Sequence, residues 1–228
     1  MSAAAASLTL TRAARFYQAT VGKKVVMAVT GLILYGFVIG HLAGNLQVYL
    51  GPEKLNGYAR ALRSMPALLW IARTVLLASV VAHITAACQL WLLNRAARPE
   101  PYRSLRAVES TYASRTMLLS GPIIAAFIVY HLMHFTFGNA HPNFSRDLDV
   151  YRNVITGFQQ LPAAVAYIVA MLLVGLHLQH GVWSMFQSVG FSHPRYTPWL
   201  RRLAAASALF IVAGNVSIPL AVLGGFLK

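Results

Sequence analysis

Of the eight histidines, six fall within long apolar stretches: His41, His83, His131, His134, His177 and His180. Neutral imidazole binds transition metals through one ring nitrogen and leaves the other for a hydrogen-bond partner. A ligating or ionisable residue inside such a stretch is costly, so each of the six is a functional candidate by default. One histidine alone reads as a polar contact between neighbouring helices. A set spread over four consecutive apolar segments points to a shared task. The five acids, Glu53, Glu100, Glu109, Asp147 and Asp149, all lie between those segments. This distribution argues against a di-iron carboxylate bundle, a zinc hydrolase with a general base and a cation-coupled transporter, which draw on acids inside the bundle. The single Cys88 has no partner at metal-ligand spacing and reads as a small buried residue.

The elements that position the histidines follow from composition. With 57% hydrophobic and 11% charged residues over 228 positions, the chain lies outside the range of soluble globular proteins. A helix that crosses a bilayer needs roughly 20 mostly apolar residues. Five stretches qualify: about Val25 to Leu50, Ala67 to Leu93, Met117 to Phe137, Pro162 to Phe186 and Leu203 to Leu227. The predicted fold is all-α, a five-transmembrane-helix bundle over residues 21–228, preceded by a short N-terminal arm over 1–20. The arm carries Arg12 and Arg15 but no apolar core of signal-peptide length. Gly51-Pro52, Met65-Pro66, Arg98-Pro99 with Pro101, His141-Pro142 and His193-Pro194 punctuate the breaks.

The formal net charge of +14 suggests nucleic acid at first sight. Once the apolar runs are set aside, however, no polar face remains to read a groove. The charge belongs to loops. Arg12, Arg15, Lys23 and Lys24, then Arg95, Arg98, Arg103, Arg106 and Arg115, then Arg195, Arg201 and Arg202 share one side of the membrane. Lys54, Arg60, Arg63, Arg73, Arg146, Arg152 and Lys228 lie on the other. The bias predicts a cytoplasmic N-terminus and an external C-terminus in a multi-pass protein.

Depth sorts the histidines further. His41 lies about 11 residues from Pro52 and His131 about 7 from Gly138, whereas His83 and His177 lie about 15 to 17 residues from Pro66 and Pro162. His41 and His131 therefore share an outer level, and His83 and His177 an inner one, staggered by on the order of 10 Å at the helical rise. Two imidazoles facing one another across a bundle suit the two axial positions of a haem iron, and two such pairs make a two-haem wire. His134 and His180 sit only about 4.5 Å along the axis from His131 and His177. One helix does not serve two stacked haems at that spacing, so these two are expected to support, bonding a haem propionate or a quinone carbonyl. Gly36, Gly40 and Gly44 flank His41, and Gly175 and Gly181 bracket the fourth-helix histidines. Such glycines provide either close helix contacts or room for a flat macrocycle.

Several segments resemble the cytochrome b558-type subunit of succinate dehydrogenases. They are Gly22-Lys23-Lys24 leading to Met27-Ala28-Val29-Thr30-Gly31, Ile39-Gly40-His41-Leu42-Ala43-Gly44-Asn45, Thr111-Tyr112-Ala113-Ser114-Arg115, Tyr130-His131-Leu132-Met133-His134-Phe135, Leu176-His177 through Gly181-Val182-Trp183-Ser184, and Gly214-Asn215-Val216-Ser217-Ile218-Pro219-Leu220. The likeness runs over nearly the whole chain. It implies a five-helix anchor with two haems b in a bacterial cytoplasmic membrane. It also implies an iron-sulfur subunit on the cytoplasmic face and, beyond that, an FAD subunit that oxidises succinate. Carried over, the axial ligands fall on His41 with His131 and His83 with His177. Some fumarate-reducing relatives have a glutamate two residues before the fourth ligand; here that position is Gly175. The electron acceptor is then a membrane quinone, menaquinone or ubiquinone, with Asn45, Gln47 and His134 as candidate contacts to its head group. The rival expectations are the cytochrome b anchor of another quinone-linked dehydrogenase, a haem-free transporter using histidines, and a bare structural anchor.

Overall fold

The computed structural model describes residue 12 and residues 14–98 and 110–228. Most of the arm, together with Pro99, Glu100, Pro101, Arg103, Arg106 and Glu109, lies outside the described residues. Helix α1 spans Thr20–Asn45 and tightens into a 3-10 turn over Leu46–Leu50. Gly51 at φ 91° turns the chain, a conformation that costs glycine nothing, and Pro52 opens the short helix α2, Pro52–Arg63. Pro66 likewise sits at the first turn of α3, Pro66–Ala96. There its missing N–H costs no hydrogen bond. Helix α4, Met117–Leu132, runs on into a widened π segment, Met133–Phe137, that stops at Gly138, φ 76°. The short α5, Val150–Phe158, is capped by Asp149, whose carboxylate accepts from the Arg152 backbone N–H. Helices α6, Leu161–Ser188, and α7, Thr197–Leu223, complete the chain.

Helices α1, α3, α4 with its π segment, α6 and α7 are long and apolar enough to cross a membrane, and no strand occurs among the described residues. The chain is a multi-pass membrane protein with an all-α fold. Residues such as Leu68, Ile71, Leu77 and Val81 on α3 and Leu209 and Phe210 on α7 face outward, where lipid rather than water covers them. Tryptophans mark both ends of the spans: Arg73 lies over Trp70 at one end, and Arg95, Arg201 and Arg202 lie over Trp91, Trp183 and Trp199 at the other. Such aromatic and cationic side chains sit at the level of lipid head groups.

The spans begin a residue or more earlier than the apolar runs indicate, except α4, and α7 runs from Thr197 to Leu223 rather than from about Leu203 to Leu227. The short helices α2 and α5, and a single helical turn over Tyr112–Arg115, occupy what reads in the sequence as plain loops. Cys88 is exposed on α3 rather than buried in protein, because α3 packs on few neighbours and turns most of its surface to the bilayer.

Helices α1 and α6 pack on each other at the centre, α3 leans on α1, α4 on α6, and α7 lies along α6. Extensive backbone packing is missing between α1 and α4, α3 and α4, and α3 and α6 among the described residues. The two ends of the bundle differ. At one end α2, α5 and the loop over 138–149 form a cap over a core containing Val48, Leu55, Ile155, Phe158, Tyr167 and Ile218. Asn56 of α2 clasps it shut, donating to Asp149 Oδ1 at 2.9 Å and accepting from the Tyr151 N–H at 2.9 Å. At the other, basic end Lys23 is buried and donates to the carbonyls of Tyr17 and Gln18 at 2.9 and 2.8 Å.

Candidate functional site

Near the capped end the rings of His41 on α1 and His131 on α4 lie 5.7 Å apart between centroids and nearly perpendicular, at 86°. Toward the basic end the rings of His83 on α3 and His177 on α6 lie 6.4 Å apart, inclined by 53°. Each pair therefore bridges two helices that lack extensive backbone packing of their own.

The hydrogen bonds around these rings engage Nδ1, and for His83 they assign the tautomer. Thr30 Oγ1 donates to the Val26 carbonyl at 2.7 Å, so toward His83 Nδ1, 3.1 Å away, it offers only lone pairs. The His83 proton is therefore on Nδ1 and its Nε2 carries a free lone pair. Ser120, fully buried on α4, lies within hydrogen-bond distance of His177 Nδ1 at 3.3 Å and of the Met117 carbonyl at 3.4 Å. The phenol of Tyr167 on α6 lies 3.1 Å from His131 Nδ1. In all three rings Nε2 has no hydrogen-bond partner among the described residues, yet no buried side-chain nitrogen is left sealed without one. These Nε2 atoms open onto space beside the ring.

The spacing of each pair fits two imidazoles that would hold the iron of one haem. Two metal–imidazole bonds of about 2 Å, plus the distance from each nitrogen to its ring centre, give a centroid separation on the order of 6 Å. Both pairs are near that value. Two neutral imidazoles suit an ion whose remaining ligands come from its own macrocycle, and a hydrogen bond at each distal nitrogen raises ligand basicity and fixes ring orientation.

The other candidate residues divide into buried and open groups. His134 is buried in the π segment, stacked on Tyr130 at 5.4 Å and on His141 at 4.9 Å, with its Nδ1 3.1 Å from the same Tyr167 phenol. Its contacts are protein, and it lies behind His131 rather than across from it. His180 is half-buried on α6, without a side-chain hydrogen bond among the described residues. Asn45, one turn beyond His41, and Gln47 in the 3-10 turn are half-buried and likewise make no side-chain hydrogen bond among the described residues. The glycines separate as well. A Cβ on Gly44 would meet the Tyr58 ring at 2.7 Å and one on Gly175 would meet Val212, so these two serve close packing. Gly36, Gly40 and Gly181 border open space.

Thr30, Ser120, Tyr167 and His141 escape the sequence reading. The available signal is that each is a polar side chain within or beside an apolar run, where a hydroxyl needs a partner. What hides them is that their partners lie on other helices, 53, 57 and 36 positions away for the first three. His141 is buried in the capping loop, where Nε2–H donates to the Asn153 carbonyl at 2.9 Å.

No family model, curated protein or solved structure matches the chain.

Proposed function

We propose that the chain is the two-haem cytochrome b anchor of a succinate:quinone oxidoreductase, taking succinate-derived electrons at its basic end and delivering them to a membrane quinone at its capped end. One observation carries this reading: two pairs of imidazoles at two depths, His41 with His131 and His83 with His177, with a hydroxyl at Nδ1 of His83, His131 and His177. The resemblance of the histidine-bearing motifs to cytochrome b558-type subunits supports the choice among haem-bearing anchors.

His83 and His177 would hold one haem b and His41 and His131 the other. When bound, haem supplies a one-electron centre at each level. The chain's own residues do the rest. Thr30, Ser120 and Tyr167 hold the ligand rings in the coordinating tautomer, and the apolar helices keep water away, which tunes a redox centre through its surroundings. Asn45 and Gln47, polar side chains near His41 without a hydrogen-bond partner among the described residues, suit the head group of a quinone whose tail stays in lipid. His180 is placed to serve a propionate or second-ring partner at the basic level. With Gly175 where some relatives carry a glutamate, the fourth helix offers no carboxylate for proton transfer at that point.

The arginines of the basic end, among them Arg95, Arg115, Arg195, Arg201 and Arg202, form a surface for an iron-sulfur subunit, on which the FAD subunit sits, and for anionic lipid. This end faces the cytoplasm of a bacterium and the capped end with Lys228 faces outside, in accord with the positive-inside rule.

The test is a pyridine haemochrome assay with reduced-minus-oxidised spectra on the purified complex. The wild type is expected to hold two haems b per chain, and His83→Ala and His41→Ala each to lose a different one. A wild-type complex without haem overturns the reading and leaves the histidines as contacts between helices.

A further inference from the structure

Tyr167 is buried, 7% exposed, and its single hydroxyl lies 3.1 Å from Nδ1 of His131 and 3.1 Å from Nδ1 of His134. A phenol has one proton to give and lone pairs to accept with, so it donates to one of the two rings and accepts from the other. The order follows from what each ring faces. The His131 ring lies 5.7 Å from that of His41 across the bundle with Nδ1 taken up by Tyr167, and a ring that coordinates through the remaining Nε2 keeps its proton on Nδ1. Tyr167 then accepts from His131 and donates to His134. His134 in turn is locked by stacking between Tyr130 and His141, and His141 is tied by its Nε2–H to the Asn153 carbonyl in α5.

Resting on the haem reading above, we propose that Tyr167 is a positioning residue for the capped haem: it selects the Nδ1–H tautomer of His131 and, backed by His134, strengthens the ring as a donor. A hydrogen bond accepted from Nδ1–H moves electron density toward Nε2, which favours ferric over ferrous iron. Tyr167→Phe removes one oxygen from a packed ring and leaves the aromatic contacts to Phe127, Phe135 and Phe158 in place. The basic-end pair has no contact with Tyr167 and serves as the internal control.

The experiment is a potentiometric titration with electron paramagnetic resonance of the ferric low-spin signals, on the complex with wild-type, Tyr167→Phe and His134→Leu chains, each with haem content measured first. The expected result for Tyr167→Phe is two haems, a several-fold lower ferric-to-ferrous ratio at fixed potential for the capped haem, a moved low-spin signal for that haem, and an unchanged basic-end haem. Selective loss of the capped haem also supports the assignment. If Tyr167→Phe does not accumulate in the membrane, His134→Leu carries the test: it removes the acceptor behind the phenol and must shift the capped haem alone, by less. Two haems with both potentials and both signals unmoved, or a shift at the basic-end haem, overturns the assignment while leaving the two-haem reading intact. A haem-free wild type overturns both.

Discussion

The two histidine pairs are built by different means. Around His131 the rings of Phe127, Phe135 and Tyr167 lie 6.0, 6.0 and 5.8 Å away, and Tyr167 itself packs on Phe158 at 5.0 Å. The whole layer is roofed by α2 and α5. His83 has no aromatic neighbour other than His177 among the described residues, and its orientation rests on hydrogen bonds to the Thr30 hydroxyl and the Met27 backbone. Geometry at the capped level is thus collective, set by the volume of interlocking rings, whereas at the open level it is set by individual hydrogen bonds from small side chains. Close-packed interiors respond to added volume. An open site responds instead to the loss of a single donor or acceptor.

Glycine substitutions separate these two behaviours most widely. Gly138 ends the π segment at φ 76°, and a Cβ there would collide with the Phe144 ring. Gly138→Ala is expected to cost about 1–3 kcal/mol from backbone strain alone, with the ring clash in addition. A lowered thermal unfolding midpoint in detergent and a perturbed capped-haem spectrum are the readouts. Gly181→Ala, with nothing within 4 Å of the added methyl, removes backbone freedom inside α6 and is expected to be neutral or stabilising by up to about 1 kcal/mol. Equal midpoints for the two variants would erase the contrast between a packed and an open level.

At the open level the sensitive atoms are hydroxyls. Thr30→Val keeps the shape of the side chain and deletes the acceptor 3.1 Å from His83 Nδ1. Loss of such a partner to a ligating histidine weakens metal retention by roughly tenfold or more. On the proposed two-haem reading, haem release from the basic-end pair, followed by transfer to apomyoglobin, is expected to quicken by about that factor while the capped haem is retained as before. Ser120→Ala should act on the same haem by less, because its contact to His177 is longer at 3.3 Å. Equal quickening at both levels would mean that the hydroxyl serves the bundle and not the ring.

What was legible in the sequence follows from the same distinction. The five spans and the two depths of histidines come from hydropathy and helical rise, which are local properties of a run of residues. Five apolar runs sufficed for the fold class, and the residue count to the nearest break sufficed to sort His41 and His131 from His83 and His177. The partners of those rings were not legible, since Thr30, Ser120 and Tyr167 reach them only after helices distant in sequence are brought together. α2 and α5 were missed for a different reason. They are short, and what stabilises them is packing on the cap and the clasp of Asn56, not a long periodic pattern. Cys88 was misread because burial in lipid and burial in protein look the same in a hydropathy profile.

The cap that roofs the collective level has its own weak point at Asp149. The Arg152 backbone N–H and, after it, the Asn56 amide hold the Asp149 carboxyl below the usual carboxylate value. Because the folded value is depressed, this carboxylate stabilises the closed cap fully above the ordinary range near pH 4. The contribution is then lost as pH falls through the folded value. The group is only half-buried, so solvent screening keeps the effect small. Hydrogen–deuterium exchange is expected to give lower protection over residues 52–63 and 150–158 below that range than at neutral pH, with the spans unchanged. Asp149→Ala should show the lowered protection already at neutral pH and remove this part of the pH dependence. If the cap opens in Asp149→Ala and the capped haem keeps its spectrum, the aromatic layer holds His131 without the roof, and the collective geometry is then confined to the rings of α4 and α6.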